Sequence, residues 1–360
     1  MHNDPVTFSK SAADDSSEST ARPGVSVVMP VRNEERHLES SVRRVLEQDY
    51  AGELEVILAV GPSSDRTREI AAELAQQDPR LRVVDNPAGR TPHALNLAIA
   101  AARFDIIVRV DGHGELADGY VGRAVELLRA TGAANVGGVM DAQGETPFEE
   151  AVACAYSTRI GLGGSTFHLE SSPPGPADTV FLGAFRKQAI TAVGGFDETM
   201  WRAQDWELNY RLRQAGEVIW FSPDLKVTYR PRSSLGALVA QMYVTGKWRR
   251  EVVRRHPETA GRRYLAAPVA VAGIGLGTVA GLLGRLTGSR LLNLGFAAPL
   301  GYAVLILVGS ALAPRSVSWP ARVRLPVVLA ATHLSWGTGF LVGLRQSPGQ
   351  EKPESSLDSV

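Results

Sequence analysis

Two stretches of this sequence hold residue types that can do chemistry at a fixed spacing. The first is Asp111-Gly112-His113, directly after the apolar run Asp105–Val110. In a strand, residues i and i+2 point to one side, so Asp111 and His113 can converge on one ion. A carboxylate favours hard divalent cations, and an imidazole beside it tilts the choice toward manganese over magnesium. The bland reading makes Asp111 a turn cap and His113 an ordinary loop residue. The second stretch is Gln204-Asp205-Trp206-Glu207-Leu208, with Arg211 just beyond. Asp205 reads either as a helix N-cap or as a carboxylate available for acid–base work. Ahead of it stands Gly194-Gly195-Phe196-Asp197-Glu198, and far upstream Pro30-Val31-Arg32-Asn33-Glu34-Glu35.

Strand and helix signals alternate around these residues. Val25–Met29 is a β-branched apolar run, the mark of a strand buried on both faces. Leu38, Val42, Val45 and Leu46 then recur at helical spacing. Leu54–Val60 and Leu81–Val84 read as the second and third strands, and Asp105–Val110 as the fourth. Thr67–Gln77, Thr91–Ala102 and Tyr120–Ala130 read as helices. The alternation predicts an α/β, doubly wound, mostly parallel sheet over 24–235, with ligands at the carboxyl ends of its strands. Gly161–Gly164 and Ser171–Pro176 are Gly- and Pro-rich loops, either mobile or plain connectors.

The C-terminal part has another character. Leu265–Gly284 and Leu291–Ala313 carry no charge, and Leu325–Leu344 has His333 as its one ionisable group. About 20 apolar residues cross a hydrocarbon core of about 30 Å, so the expectation is three transmembrane helices, 265–284, 291–313 and 325–344. The chain balances 38 Lys and Arg against 38 Asp and Glu, but unevenly. Lys247, Arg249, Arg250, Arg254, Arg255, Arg262 and Arg263 cluster before the first apolar stretch. This predicts a basic interfacial helical segment over 236–264 and, by the positive-inside rule, a cytoplasmic catalytic domain on a multi-pass cell-membrane protein. Arg315, Arg322 and Arg324 in the second inter-span loop agree with a three-span topology. The glycines of 265–284 suggest close helix packing, with a homo-oligomer as one outcome. Cys154 is the sole cysteine, so no intrachain disulfide forms. Residues 1–23 and 345–360 read as disordered tails.

Taken in order, PxxNEE after strand one, Asp-Gly-His at a strand end, GGFDE, and the Asp-x-Glu-Leu…Arg helix resemble a family 2 glycosyltransferase of GT-A fold. VRVDGH, GKWRREVVRRHP and HLSWGTGFLVG are similar to elements of the membrane-anchored succinoglycan-biosynthesis type. The resemblance implies a nucleotide-sugar donor (a UDP- or GDP-sugar), a lipid-linked acceptor, membrane lipid as a partner and no role for nucleic acid. Pro30, Asn33, Glu34, Asp65, Arg90 and Asp111 would bind the nucleotide-sugar. Asp111 and His113 would hold a divalent metal, Mn or Mg, that neutralises the departing diphosphate. Asp205 would be the general base of an inverting transfer. Gln204, Arg211, Lys247 and Trp248 would lie on the acceptor or diphosphate side.

The sequence also departs from that pattern. Val60 and Gly61 stand where family members commonly carry an Asp pair. Asp65 survives there, as a nucleotide contact or a cap of the next helix. Glu34 likewise reads as a nucleotide contact or as a partner of the next helix N-terminus. Gln204 replaces a usual Glu, and Gln241 is not followed by the Q-x-x-R-W element of processive members. Lys247 and Trp248 therefore have an interfacial reading beside the catalytic one. Two rival functions stay open at this point: a polyprenyl-phosphate sugar synthase, and a catalytically silent membrane scaffold.

Overall fold

The computed structural model describes residues 22–344 apart from Gly163. Apart from Arg22 and Pro23, the two expected tails lie outside the described residues. β1 (Val25–Val31), β2 (Leu54–Val60) and β3 (Leu81–Asp85) pair in parallel, and β4 (Ile106–Arg109) joins β1 on its other edge. α1 (Leu38–Leu46), α2 (Thr67–Gln77) and α3 (Thr91–Ala101) connect them. After β4 come β5 (Glu115–Leu116), α4 (Tyr120–Thr131), β6 (Asn135–Ala142), α5 (Pro147–Tyr156) and β7 (Gly175–Pro176). β8 (Phe181–Arg186), α6 (Lys187–Ala192), α7 (Gln204–Gln214) and β9 (Ile219–Tyr229) complete the sheet. Its order is β3-β2-β1-β4-β8-β6-β9-β5, with β7 on β9. β8 runs antiparallel between β4 and β6, so the sheet is mixed beyond its parallel half.

Alternate residues of β1 serve two layers, as the two-residue period of a strand requires. Val25, Val27 and Met29 pack with Leu38, Val42 and Val45 of α1 and with α4. Val28 faces the other way, with Leu95 and Ala98 of α3 and Leu208 and Leu212 of α7. The carboxyl ends of β1, β2 and β4 open on the edge where the motif loops begin.

Beyond the sheet run α8 (Leu235–Arg255), α9 (Arg262–Thr287), α10 (Arg290–Asn293), α11 (Ala297–Ala311) and α12 (Trp319–Val342). Arg262–Thr287, Arg290–Ala311 and Trp319–Val342 are each long and apolar enough to cross a membrane. Three of the α9 glycines serve packing within the chain: a Cβ on Gly277 would run into the Gly295 carbonyl, one on Gly281 into the Phe296 ring and one on Gly284 into Asn293, while Gly273 and Gly275 face open space.

α12 differs from the other two. Of its most apolar window 33% is buried, against 11% for α9 and 6% for 290–311. Its first turn is tied to α5, where the Glu150 carboxylate accepts from the Ser318 amide at 2.6 Å and from its hydroxyl. Leu325, Val328 and Leu329 share a core with Ala151, Val152 and Ala155 of α5 and Leu238 and Met242 of α8. Further on, glycines let α8 and α12 touch backbone to backbone: a Cβ on Gly246 would meet the Trp336 carbonyl, and one on Gly339 the Tyr243 carbonyl. At the C-terminal end Arg250 donates to the carbonyls of Phe340 and Leu341, and Leu344 joins Met200, Trp248 and Val252. His333 is paired on both nitrogens, with the Ile160 carbonyl at 2.7 Å and the Tyr302 hydroxyl at 3.3 Å. α12 therefore rests on the sheet domain at both ends and along its middle.

Much of the basic segment 236–264 pairs within the protein. Arg255 bonds Asp197 and Glu251, Arg254 bonds Glu251, and Arg263 bonds Asp178 and the Gly164 carbonyl. Arg249 is buried between the rings of Trp206 and Tyr264, and burial presses its pKa down to about 10.

Candidate active site

The centre of the strand-end cleft is an ion-pair bridge. Arg109, the last residue of β4, has a side chain only 4% exposed. Its Nε donates to Asp111 Oδ1 at 3.0 Å, with Nη2 in ion-pair contact at the same distance, and its Nη1 donates to Asp205 Oδ1. β4 and the head of α7 are thus clamped by one guanidinium, whose fork can serve two carboxylates at once. Asp205 reaches the cleft because Ala203 turns left-handed at φ 59°, and α7 starts at the buried Gln204.

The same loop carries His113. Its Nδ1 meets Glu34 Oε1 at 2.8 Å. Partial burial presses the ring toward its neutral form; Glu34 and the charge of Asp111 outweigh this and raise its pKa. A carboxylate on one ring nitrogen orients the other toward a metal, the usual support of a histidine ligand. Among the described residues no group of three or more His, Cys, Asp or Glu could hold an ion alone. Asp111 and His113 would supply two protein ligands to a divalent ion, leaving its other positions to phosphate oxygens and water.

β1 opens into the rest of the cleft at Pro30 and Asn33. Asn33 adopts φ 56°, a region where Asn is enriched. Its amide N–H donates to Ser63 Oγ at 3.1 Å, and its Oδ1 accepts from the Ser64 amide at 2.9 Å. That side chain thus joins the β1 and β2 loops. Asp65 accepts from the Thr67 amide and hydroxyl and from the Glu35 amide. Burial pushes its carboxyl up, and these donors hold it below its usual range. Asp65 thus ties the start of α2 to the β1 loop. The Arg90 guanidinium lies 3.7 Å over the Trp201 ring, and Trp201 in turn packs on Trp248.

Arg211 and Trp248 make structural contacts around the site. Arg211 grips the Glu207 carboxylate with two nitrogens at 2.7 Å and donates to the carbonyls of Val193 and Gly195. Asn96 holds the next turn, donating to the Phe196 carbonyl and accepting from its amide. Together they lock the GGFDE loop behind Asp205. Trp248 is 4% exposed and packs on Met200 and Val252, which is core rather than headgroup depth. Lys247 is half-buried with Nζ 5.9 Å from the Tyr243 ring centre.

The family model for glycosyl transferase family 2 matches residues 26–190. The chain is 34% identical over 318 residues to the succinoglycan biosynthesis protein ExoA of Rhizobium meliloti, covering 87% of this chain and 93% of that one. The chain belongs to glycosyltransferase family 2. Another relative of this family 2 glycosyltransferase is a dolichyl N-acetyl-alpha-D-glucosaminyl phosphate 3-beta-D-2,3-diacetamido-2,3-dideoxy-beta-D-glucuronosyltransferase of Methanococcus voltae. It is 23% identical, over 64% of this chain and 74% of its own. Among solved structures, the mannosyltransferase PcManGT from Pyrobaculum calidifontis, in complex with GDP-Man and Mn2+, superposes with a TM-score of 0.59. The overlap covers 89% of this chain and 88% of that one at 20% identity, which establishes a shared GT-A fold.

Arg109 is the site residue that motif reading passes over. Its signal was present: a lone charge in the apolar strand IIVR, two residues before Asp111 and on the same strand face.

Proposed function

We propose that this family 2 glycosyltransferase is an inverting enzyme that moves one sugar from a nucleotide-sugar to a lipid-linked acceptor. The reaction serves envelope polysaccharide or glycolipid synthesis at the cytoplasmic membrane face. The observation that carries the reading is the Arg109 bridge, which sets the proposed base, Asp205, beside the proposed diphosphate-side residue, Asp111. Asp205 takes the proton of the acceptor hydroxyl as its oxygen bonds the anomeric carbon. The bond from that carbon to the donor diphosphate breaks, and the electron pair leaves with the nucleoside diphosphate. Asp111 and His113 would hold the divalent ion, whose chemistry is to neutralise charge on the leaving diphosphate. The solved structure bound to GDP-Man and Mn2+ supports a nucleotide-sugar donor used with manganese. With no Asp pair at Val60–Gly61, the Ser63–Ser64 turn and backbone groups are left to contact the base.

Thermal unfolding of the detergent-purified protein tests this. A ligand of the native state raises its stability with the logarithm of concentration over Kd. The expected result is stabilisation by one of UDP or GDP with manganese, lost in Asp111→Ala. A folded protein that no nucleotide stabilises would favour the silent scaffold.

The basic residues on the domain side of α9 support a cytoplasmic catalytic domain. The docking of α12 at both ends supports α9 and 290–311 as the crossing pair, with α12 held against the domain. Thiol labelling of intact cells in a Cys154→Ser background discriminates. Ser289→Cys should react from outside, and Ser316→Cys and Val342→Cys should not. External labelling at 342 would restore a third crossing.

A further inference from the structure

A cavity of about 310 Å³ opens beside the proposed base, between the loop carrying Arg202 and the first turns of α8. Arg202 lies three residues before Asp205, and Arg232 leads into α8 from the end of β9. Both arginines line the cavity, with Ser234 and Gln241, and no carboxylate lines it. Arg232 is half-buried and has no hydrogen-bond or ion-pair partner among the described residues. A partly desolvated, unpaired guanidinium is costly unless an anion joins it, and its fork matches phosphate oxygens.

We propose that this cavity seats a phosphate of the amphiphilic acceptor. The inference rests on the transferase reading above and names the acceptor's chemical class. Two observations favour the acceptor over the donor diphosphate. None of the loops after β1, β2 or β3 contributes to the lining, which comes from the Arg202 and Arg232 segments and α8. Leu235 and Val239, 42% and 39% exposed, stand one residue round α8 from the lining residues Gly236 and Ala240. They form an apolar strip at the cavity's edge, where a lipid tail would leave. A phosphate held by Arg202 and Arg232 would fix the head of the acceptor next to Asp205 and leave the tail along α8.

The test uses the full-length protein in neutral detergent, saturated with manganese and its stabilising nucleotide, with farnesyl diphosphate as probe and farnesol as its phosphate-free control. Farnesyl diphosphate should raise the unfolding temperature and farnesol should not. Arg232→Gln should weaken the farnesyl diphosphate response about tenfold, the usual worth of a charge-assisted hydrogen bond, and leave nucleotide affinity unchanged. Arg232→Lys should fall between, and it is the variant read if Arg232→Gln does not fold. An equal shift with farnesol would overturn the proposal, as would an Arg232→Gln response equal to wild type. So would displacement of the nucleotide by the probe, or loss of nucleotide affinity in the variant, both of which would give the cavity to the donor. Failure of the transferase reading appears separately, as no nucleotide stabilisation of the wild type, and the probe is then read without nucleotide.

Discussion

Asp205→Asn should lower kcat by about a thousandfold, within the usual range for a missing general base, and should leave nucleotide affinity close to wild type. The substitution is nearly isosteric, and the amide oxygen can still accept from Arg109 Nη1, so the bridge to β4 survives. What is lost is the basic oxygen proposed to take the acceptor's proton. Asp205 belongs to the first turn of α7, where Arg211 grips Glu207, and Arg211 and Asn96 also fix the loop before it at Gly195 and Phe196. The loss should therefore be chemical rather than structural, with an unfolding temperature near wild type. Steady-state transfer at saturating donor reads kcat directly. A variant that kept most of its activity would point to the polyprenyl-phosphate reading, because a phosphate acceptor is already ionised and needs no base.

The sheet was legible because its signals are local. The β1 and β2 runs are buried on both faces and read as apolar strings, and the helices between them carry their own period. Pairings across the chain left no such trace. Arg109 and Asp205 are 96 positions apart, so a charge in a strand looks like an edge feature until the fold supplies its partner. The basic cluster before α9 likewise has protein partners that its local sequence does not announce. Its charges suggest a lipid surface, yet Asp178 and Asp197 lie far back in the sequence and claim Arg263 and Arg255. α12 satisfies the length-and-apolarity rule and also packs on protein. The rule finds a helix able to span a membrane, but a face of Leu325, Val328 and Leu329 fits a protein groove as well as lipid. Small residues at Gly246 and Gly339 are the hint, since backbone contact needs a partner helix rather than acyl chains.

Arg109→Gln should cost about a hundredfold in kcat and about 2 kcal/mol of stability. The stability figure is discounted from the 3–5 kcal/mol of fully buried pairs, because Asp111 and Asp205 are 29% and 30% exposed. Two carboxylates would be left facing one another across the cleft with no cation between them. Arg109→Lys should recover part of the stability and little of the rate, since one ammonium cannot reach both carboxylates with the fixed geometry of the fork. The decisive readout is coupling. If Arg109 acts by holding Asp205, it is a positioning residue, and its removal should cost little more once the base is gone. The Asp205→Asn, Arg109→Gln double variant should then be about as slow as Asp205→Asn alone. A merely structural Arg109 would multiply the two losses. The metal requirement supplies a second, opposite signature. Arg109 and a divalent cation compete for Asp111 Oδ1, so Arg109→Gln should reach half-maximal activity at several-fold less manganese even as kcat falls. A higher manganese requirement would mean that Arg109 orients Asp111 for the ion instead of competing with it.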